Sequence, residues 1–272
     1  MIIDDIRNRK NLTIADALAY GYAIFKANIV QILYIVLLIY FPLNLVSGYI
    51  SILLASIESG INIEAILTSE DALMNFINSS QYVSFATYNC IKLVLDMFLA
   101  PFGTMAIIAI VKNACEQKNI NYLDALKVSF SCGGSFLWLR LIYCIIVGGL
   151  YLLGIIPGVI LAVFWYFNIQ ALVLDGKKGM KAFGYSRSLV TGRWFRTLFM
   201  LIVFRGLSYG INYLLSFFFM WGAGSYFVVV LVGVLLAIVS TVFVSAETVI
   251  YLNYQANIVD KSKVKALPNN NQ

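Results

Sequence analysis

An all-α fold in which about six helices cross a membrane is predicted for this chain, and three features predict it. Apolar residues make up 61% of the 272 residues and charged residues 12%, with a mean hydropathy of +0.86. A soluble globule of this size would lack the polar surface to cover itself. Several apolar runs reach the length of a bilayer core, and the basic residues sort to one side of the segments so defined.

The runs Ile29 to Leu54, Tyr88 to Val111, Phe136 to Leu174, Leu198 to Met220 and Phe227 to Leu252 each reach or exceed the roughly 20 residues that cross the hydrocarbon. The third is about twice that length, and Gly154-Ile-Ile-Pro157-Gly158 interrupts it. Proline removes a backbone donor and glycine tolerates turn dihedrals, so this run reads as two spans joined by a tight turn. Six spans result. The first 28 residues carry several charges and no short apolar core before a small-residue cleavage site, so a cleaved signal peptide is not expected. Cys90, Cys115, Cys132 and Cys144 have no CxxC spacing and read as free thiols.

Orientation follows from charge. All of the 19 basic residues except Lys92 and Arg205 fall in the N-terminal segment, between spans two and three, between spans four and five, or in the tail. Ala55 to Asn89, on the other side, has Glu58, Glu64, Glu70 and Asp71 and no basic residue. The positive-inside rule then places both termini in the cytoplasm. The net charge of +6 is thus mostly a topology signal; no nucleic-acid partner is expected, and anionic lipid head groups suit the same charges.

A similar phrase precedes each pair of spans: Asp16-Ala-Leu-Ala-Tyr-Gly-Tyr, Asp124-Ala-Leu-Lys-Val-Ser-Phe and Lys181-Ala-Phe-Gly-Tyr-Ser-Arg. Apolar residues in each follow helical spacing on one face, and Thr13 with Asp16 suits a capping box. The sequence therefore predicts three repeats, each an amphipathic helix followed by a hairpin of two spans, over about 11–111, 120–174 and 178–256. Two placements are open for these helices: flat on the cytoplasmic membrane surface, or packed on their own bundle. Residues 1–260 form one membrane domain, and 261–272 is expected to be a disordered cytoplasmic tail.

Three groups of residues are candidate sites. Arg187, Arg193 and Arg196, with Trp194 among them, suit lipid phosphates, since a guanidinium makes forked contacts and Trp favours head-group depth; a plain topology anchor is the competing reading. Arg205 and Glu247 fall inside spans five and six, where an ion costs roughly 2.5–3.5 kcal/mol on insertion scales, and are expected to pair. Lys92 and Asp96, at i and i+4 in the outer half of span two, are expected to pair with each other or to line an outward cavity. With no histidine in the chain, Ser-His and Cys-His catalysis is excluded. No P-loop, Rossmann fingerprint or clustered carboxylates point to a cofactor or metal, so no catalytic residue is assigned and no enzyme is expected.

One stretch carries a resemblance. Ile155-Ile-Pro157-Gly158, a span, and then Ala182-Phe-Gly-Tyr-Ser186-Arg-Ser-Leu189-Val-Thr-Gly192-Arg-Trp194-Phe resembles the bacterial six-span family named after the membrane domain of glycerophosphoryl diester phosphodiesterase. The strong likeness covers about 155–210. Ile250-Tyr-Leu-Asn253-Tyr-Gln255 stands where relatives often carry a charged Tyr-Asp-x-Arg phrase, and here both charges are missing. The resemblance implies a bacterial cytoplasmic-membrane protein in a lipid context. It implies no phosphodiesterase activity, because the soluble catalytic domain and its histidines are absent from this sequence. Two functional readings stand: a non-enzymatic protein that engages lipids or a membrane or soluble protein partner, in envelope homeostasis or resistance to membrane-active agents; or a transporter or export component with Lys92, Asp96, Arg205 and Glu247 along a path. Oligomeric state and ligand are not specified by the sequence.

Overall fold

The computed structural model describes residues 6, 9, 12–218 and 225–266, with backbone only at 63, 218 and 259–266. The turn expected near Gly222, the charges Arg7 and Lys10, the side chains of Lys261, Lys263 and Lys265, and residues 267–272 lie outside the described residues or side chains. Among the described residues the chain is helical, and six helices are long and apolar enough to cross a membrane: α2 (Ile29–Glu58), α5 (Ser80–Cys115), α7 (Gly133–Leu153), α8 (Ile155–Asp175), α10 (Trp194–Phe218) and α11 (Tyr226–Ala266). Three shorter helices precede the pairs, α1 (Ile14–Ala27), α6 (Tyr122–Ser131) and α9 (Met180–Val190), and the acidic loop winds into α3 (Ile63–Thr68) and α4 (Glu70–Ile77).

Local chemistry explains the boundaries. The Asp16 amide donates to Thr13 Oγ1 at 3.1 Å and the Thr13 amide to Asp16 Oδ2 at 3.2 Å, closing the expected capping box on α1. Asn62, Ser69 and Ser79 cap α3, α4 and α5 in turn by accepting from backbone amides. Two spans contain a π-turn, Val36–Tyr40 and Leu95–Leu99, each just ahead of a proline, Pro42 or Pro101. A proline ring crowds the carbonyl four residues earlier and offers no N–H, and a widened turn absorbs both defects.

The α7–α8 hairpin turns in a single residue, Gly154, and Pro157 sits in the first turn of α8, where an amide would lack a helical acceptor anyway. A Cβ on Gly158 would lie 2.7 Å from the Tyr151 ring, so glycine here lets the two spans close together. Gly192, at φ +81°, provides the left-handed residue between α9 and α10.

The three short helices dock alike on the bundle. α1 packs along α11, α6 along α5 and α9 along α8. Each presents a small-residue step, Ala17/Gly21, Ala125/Ser129 or Ala182/Ser186, and all six positions are buried. Meanwhile Tyr22, Leu123, Phe130 and Met180 stay exposed. The small-residue faces thus pack on the bundle, because alanine and glycine allow backbone approach that the larger apolar residues beside them would block. The core gathers where α5, α8 and α11 meet, around Ile107, Phe167, Phe183, Val249 and Tyr251.

Candidate functional site

A cavity of about 330 Å³ opens among the spans, and every one of the six contributes to its wall. The π-turn of α2 delivers Tyr40, whose hydroxyl is 3.1 Å from Thr104 Oγ1 of α5. From α7 comes Arg140, its guanidinium 5.4 Å from the Tyr143 ring centroid. α8 breaks at Trp165–Phe167, between its helical halves Ile155–Phe164 and Asn168–Asp175, and this break turns Tyr166, Asn168 and Gln170 toward the cavity. α10 adds Arg205 and Ser208, and α11 adds Ser240 and Glu247.

The cavity lies deep. Counting 1.5 Å per helical residue, Arg140 is about 10 Å from the start of α7 and Arg205 about 16 Å from the start of α10. At these depths unpaired polar groups are expensive, yet three buried atoms on or beside the cavity, Arg140 Nε, Asn168 Oδ1 and Gln170 Oε1, have no hydrogen-bond partner. Asn168 and Gln170 are each only 4% exposed. Fixed donors and acceptors held this way can bind a polar guest without reorganising.

The pairing expected for Arg205 and Glu247 is corrected. Both face the cavity, but no direct ion pair joins them; the Glu247 carboxylate instead accepts a hydrogen bond from the Tyr166 hydroxyl. The break in α8 brings Tyr166 to the carboxylate, while Arg205 is exposed at the cavity's edge. Lys92 and Asp96 form no direct ion pair, although the ammonium still acts on the carboxylate. Lys92 Nζ donates to Ser51 Oγ of α2 at 2.9 Å, and Asp96 lines a second cavity, of about 260 Å³, with Asn44 and Ser47. Tyr40 and Ser240 border both cavities, and Arg205, Ser208 and Ser240 border a third, of about 240 Å³.

The arginine rim is partly internal. Arg193 Nη1 donates to the Tyr254 carbonyl at 3.4 Å with its guanidinium 4.8 Å from that ring's centroid, and Arg196 donates to the Leu12 carbonyl. Burial lowers the Arg193 pKa from its ordinary value, opposed by the neighbouring Tyr254. Trp194 Nε1 donates to the Ile160 carbonyl at 3.3 Å, so its indole braces α8. Arg187 stays exposed, 5.6 Å from the Phe164 ring centroid.

The other residues that carried the family resemblance have structural tasks. Ala182 and Leu189 are fully buried, and Ser186 Oγ donates to the Phe164 carbonyl at 2.8 Å and accepts from the Phe167 amide at 3.1 Å, tying both sides of the α8 break to α9. Asn253 and Gln255 act as neutral ties: Asn253 Nδ2 donates to the Ile6 and Arg9 carbonyls at 2.7 and 2.8 Å, and Gln255 Nε2 to Asp175 Oδ1 at 2.7 Å.

Arg140, Tyr166, Asn168, Gln170, Tyr40 and Thr104 were not identified as site residues by sequence. Arg140 reads there as one more loop cation, and it is in fact seven residues inside α7. The signal that could have found Asn168 and Gln170 is two amides within an otherwise apolar run.

Six long apolar helices around a polar cavity define a multi-pass membrane protein. No family model, no curated protein and no solved structure matches the chain.

Proposed function

We propose that the protein is a non-enzymatic lipid-handling protein of the bacterial cytoplasmic membrane that takes the polar head of a membrane lipid into the six-span cavity, in the service of envelope homeostasis or resistance to membrane-active agents. One observation carries this reading: a cavity walled by all six spans has an exposed arginine at its edge. The resemblance to the family named for the phosphodiesterase membrane domain, and the like docking of three short helices that favours three repeated units, support it. The arginine rim becomes a lesser contributor, since Arg193 and Arg196 are committed to internal carbonyls and Tyr254.

Native mass spectrometry of the detergent-purified protein with added phospholipid tests it. Lipid adducts on wild type should fall in Arg205→Gln and persist in Arg187→Gln, which alters an exposed arginine. Adducts equally strong in all three proteins would refute the cavity as the lipid site.

A transport reading of the same cavity is favoured by one specific feature. Tyr40 and Ser240 form a shared wall leading to the second cavity and Asp96, so polar groups continue from one cavity to the next. Protein-dependent movement of a fluorescent phospholipid between the leaflets of liposomes, abolished by Glu247→Gln or Asp96→Asn, would establish transport; retention of lipid without movement would limit the protein to binding.

A further inference from the structure

Building on the lipid-handling reading, we infer that the cavity selects a net-anionic head group that also carries hydroxyl donors, and that the head group enters sideways through the gap between α7 and α10. The charge balance comes first. Arg140 and Arg205 face the cavity against one carboxylate, Glu247, whose oxygen is already engaged by Tyr166. Asp96 lies beyond Tyr40 and Ser240, in the adjoining cavity. Two guanidinium groups, one with an unpartnered Nε, suit a phosphate ester, to which arginine makes forked, charge-assisted contacts.

An anion alone would leave the site half satisfied. Asn168 Oδ1 and Gln170 Oε1 are buried acceptors without donors. An amide oxygen gains nothing from a phosphate oxygen, because both accept; it needs an O–H or N–H. An ammonium-bearing zwitterion could supply donors, but it would bring a second positive charge beside two arginines. Hydroxyls supply the donors without that repulsion.

The route follows from packing. α10 rests on α11 and on the first half of α8, with little or no contact to α7. Arg140 on α7 and Arg205 on α10 both line the cavity, and Arg205 is exposed. Its helix neighbours Ile202, Leu207 and Tyr209 are exposed and fit an acyl-chain environment. A volume of about 330 Å³ is at the low end of the range for small-ligand sites. It suits a head group whose chains stay in the bilayer.

The test is competitive binding to the purified full chain by native mass spectrometry, with dioctanoyl phosphatidylglycerol, dioctanoyl phosphatidic acid, dioctanoyl phosphatidylcholine and free glycerol phosphate as probes. Phosphatidylglycerol should bind best, phosphatidic acid next and phosphatidylcholine weakest. Arg140→Gln should weaken phosphatidylglycerol by tenfold or more, and Arg140→Lys, which keeps the charge but not the fork and covers the case where the glutamine variant does not fold, by less. Asn168→Ala should erase the preference for phosphatidylglycerol over phosphatidic acid. Equal retention of all three lipids, lost in Arg205→Gln, would overturn the selectivity while leaving the lipid site in place; no lipid dependence on Arg205 would remove the lipid-handling reading itself. Free glycerol phosphate binding as tightly as its lipid counterpart would make a soluble anion the ligand and overturn sideways access.

Discussion

Ser186 bonds to backbone on both flanks of the Trp165–Phe167 break, donating to Phe164 and accepting from Phe167, and it is fully buried. Ser129, at the equivalent place in α6, donates to the Phe102 carbonyl at 2.6 Å. Removing a buried partner costs about 1–3 kcal/mol for each group left unsatisfied. Ser186→Ala should therefore lower the thermal midpoint in detergent more than Ser129→Ala, as followed by tryptophan fluorescence; equal shifts would mean that the break does not depend on its serine. The cavity makes a related prediction. Glu247→Gln retains an acceptor for the Tyr166 hydroxyl, whereas Glu247→Ala leaves that hydroxyl without its partner, so the alanine variant should be the less stable of the two by about 1–3 kcal/mol in the same melts. At this scale the sequence was legible where a residue broke a pattern. A lone Arg205 or Glu247 inside an apolar run is conspicuous. Tyr166 is not, because a tyrosine suits almost any position in a span, and its role comes from a helix break that hydropathy does not register.

Among the elements, the docked short helices depend on how near two backbones can come. A Cβ placed on Gly21 would lie 2.7 Å from the Ala246 backbone nitrogen, so Gly21→Leu cannot be accommodated without moving α1 off α11. Overpacking of this kind costs roughly 1–3 kcal/mol, and α1 is joined to the bundle mostly through this face. Gly21→Leu, Ala125→Leu and Ala182→Leu should each reduce thermal stability and speed limited proteolysis near the short helix concerned, while Leu123→Ala, on an exposed position, should do neither. If the four variants melt together, the small-residue steps are incidental. The phrases containing these helices were readable in sequence through their spacing, as was the Gly154 to Gly158 hairpin. Their packing partners were not. Helical periodicity identifies a face, but whether that face meets lipid or protein depends on side-chain size against a distant helix, as Gly21 against Ala246 shows. The π-turns were equally hidden, since a proline in a span predicts a defect without saying where an extra residue will be absorbed.

For the whole molecule, six spans oblige the two ends of the chain to share one side, whichever side that is. The acidic helices α3 and α4 and the basic segment before α9 emerge at opposite ends of the bundle, so orientation reduces to a choice between two arrangements. The cost of carrying lysine and arginine across a membrane predicts the arrangement in which the segment around Lys177, Lys178 and Lys181 faces inside. Ser69 and Lys178 are both exposed and so report on the choice. With the four native cysteines changed to alanine, Ser69→Cys should react with a membrane-impermeant maleimide on intact cells, and Lys178→Cys only after permeabilisation. The reverse pattern would invert the chain and place the arginines at the outer surface. Labelling of both on intact cells would contradict the span count, because α5, α7 and α8 make three passes between these positions, and an odd number of passes must leave them on opposite sides.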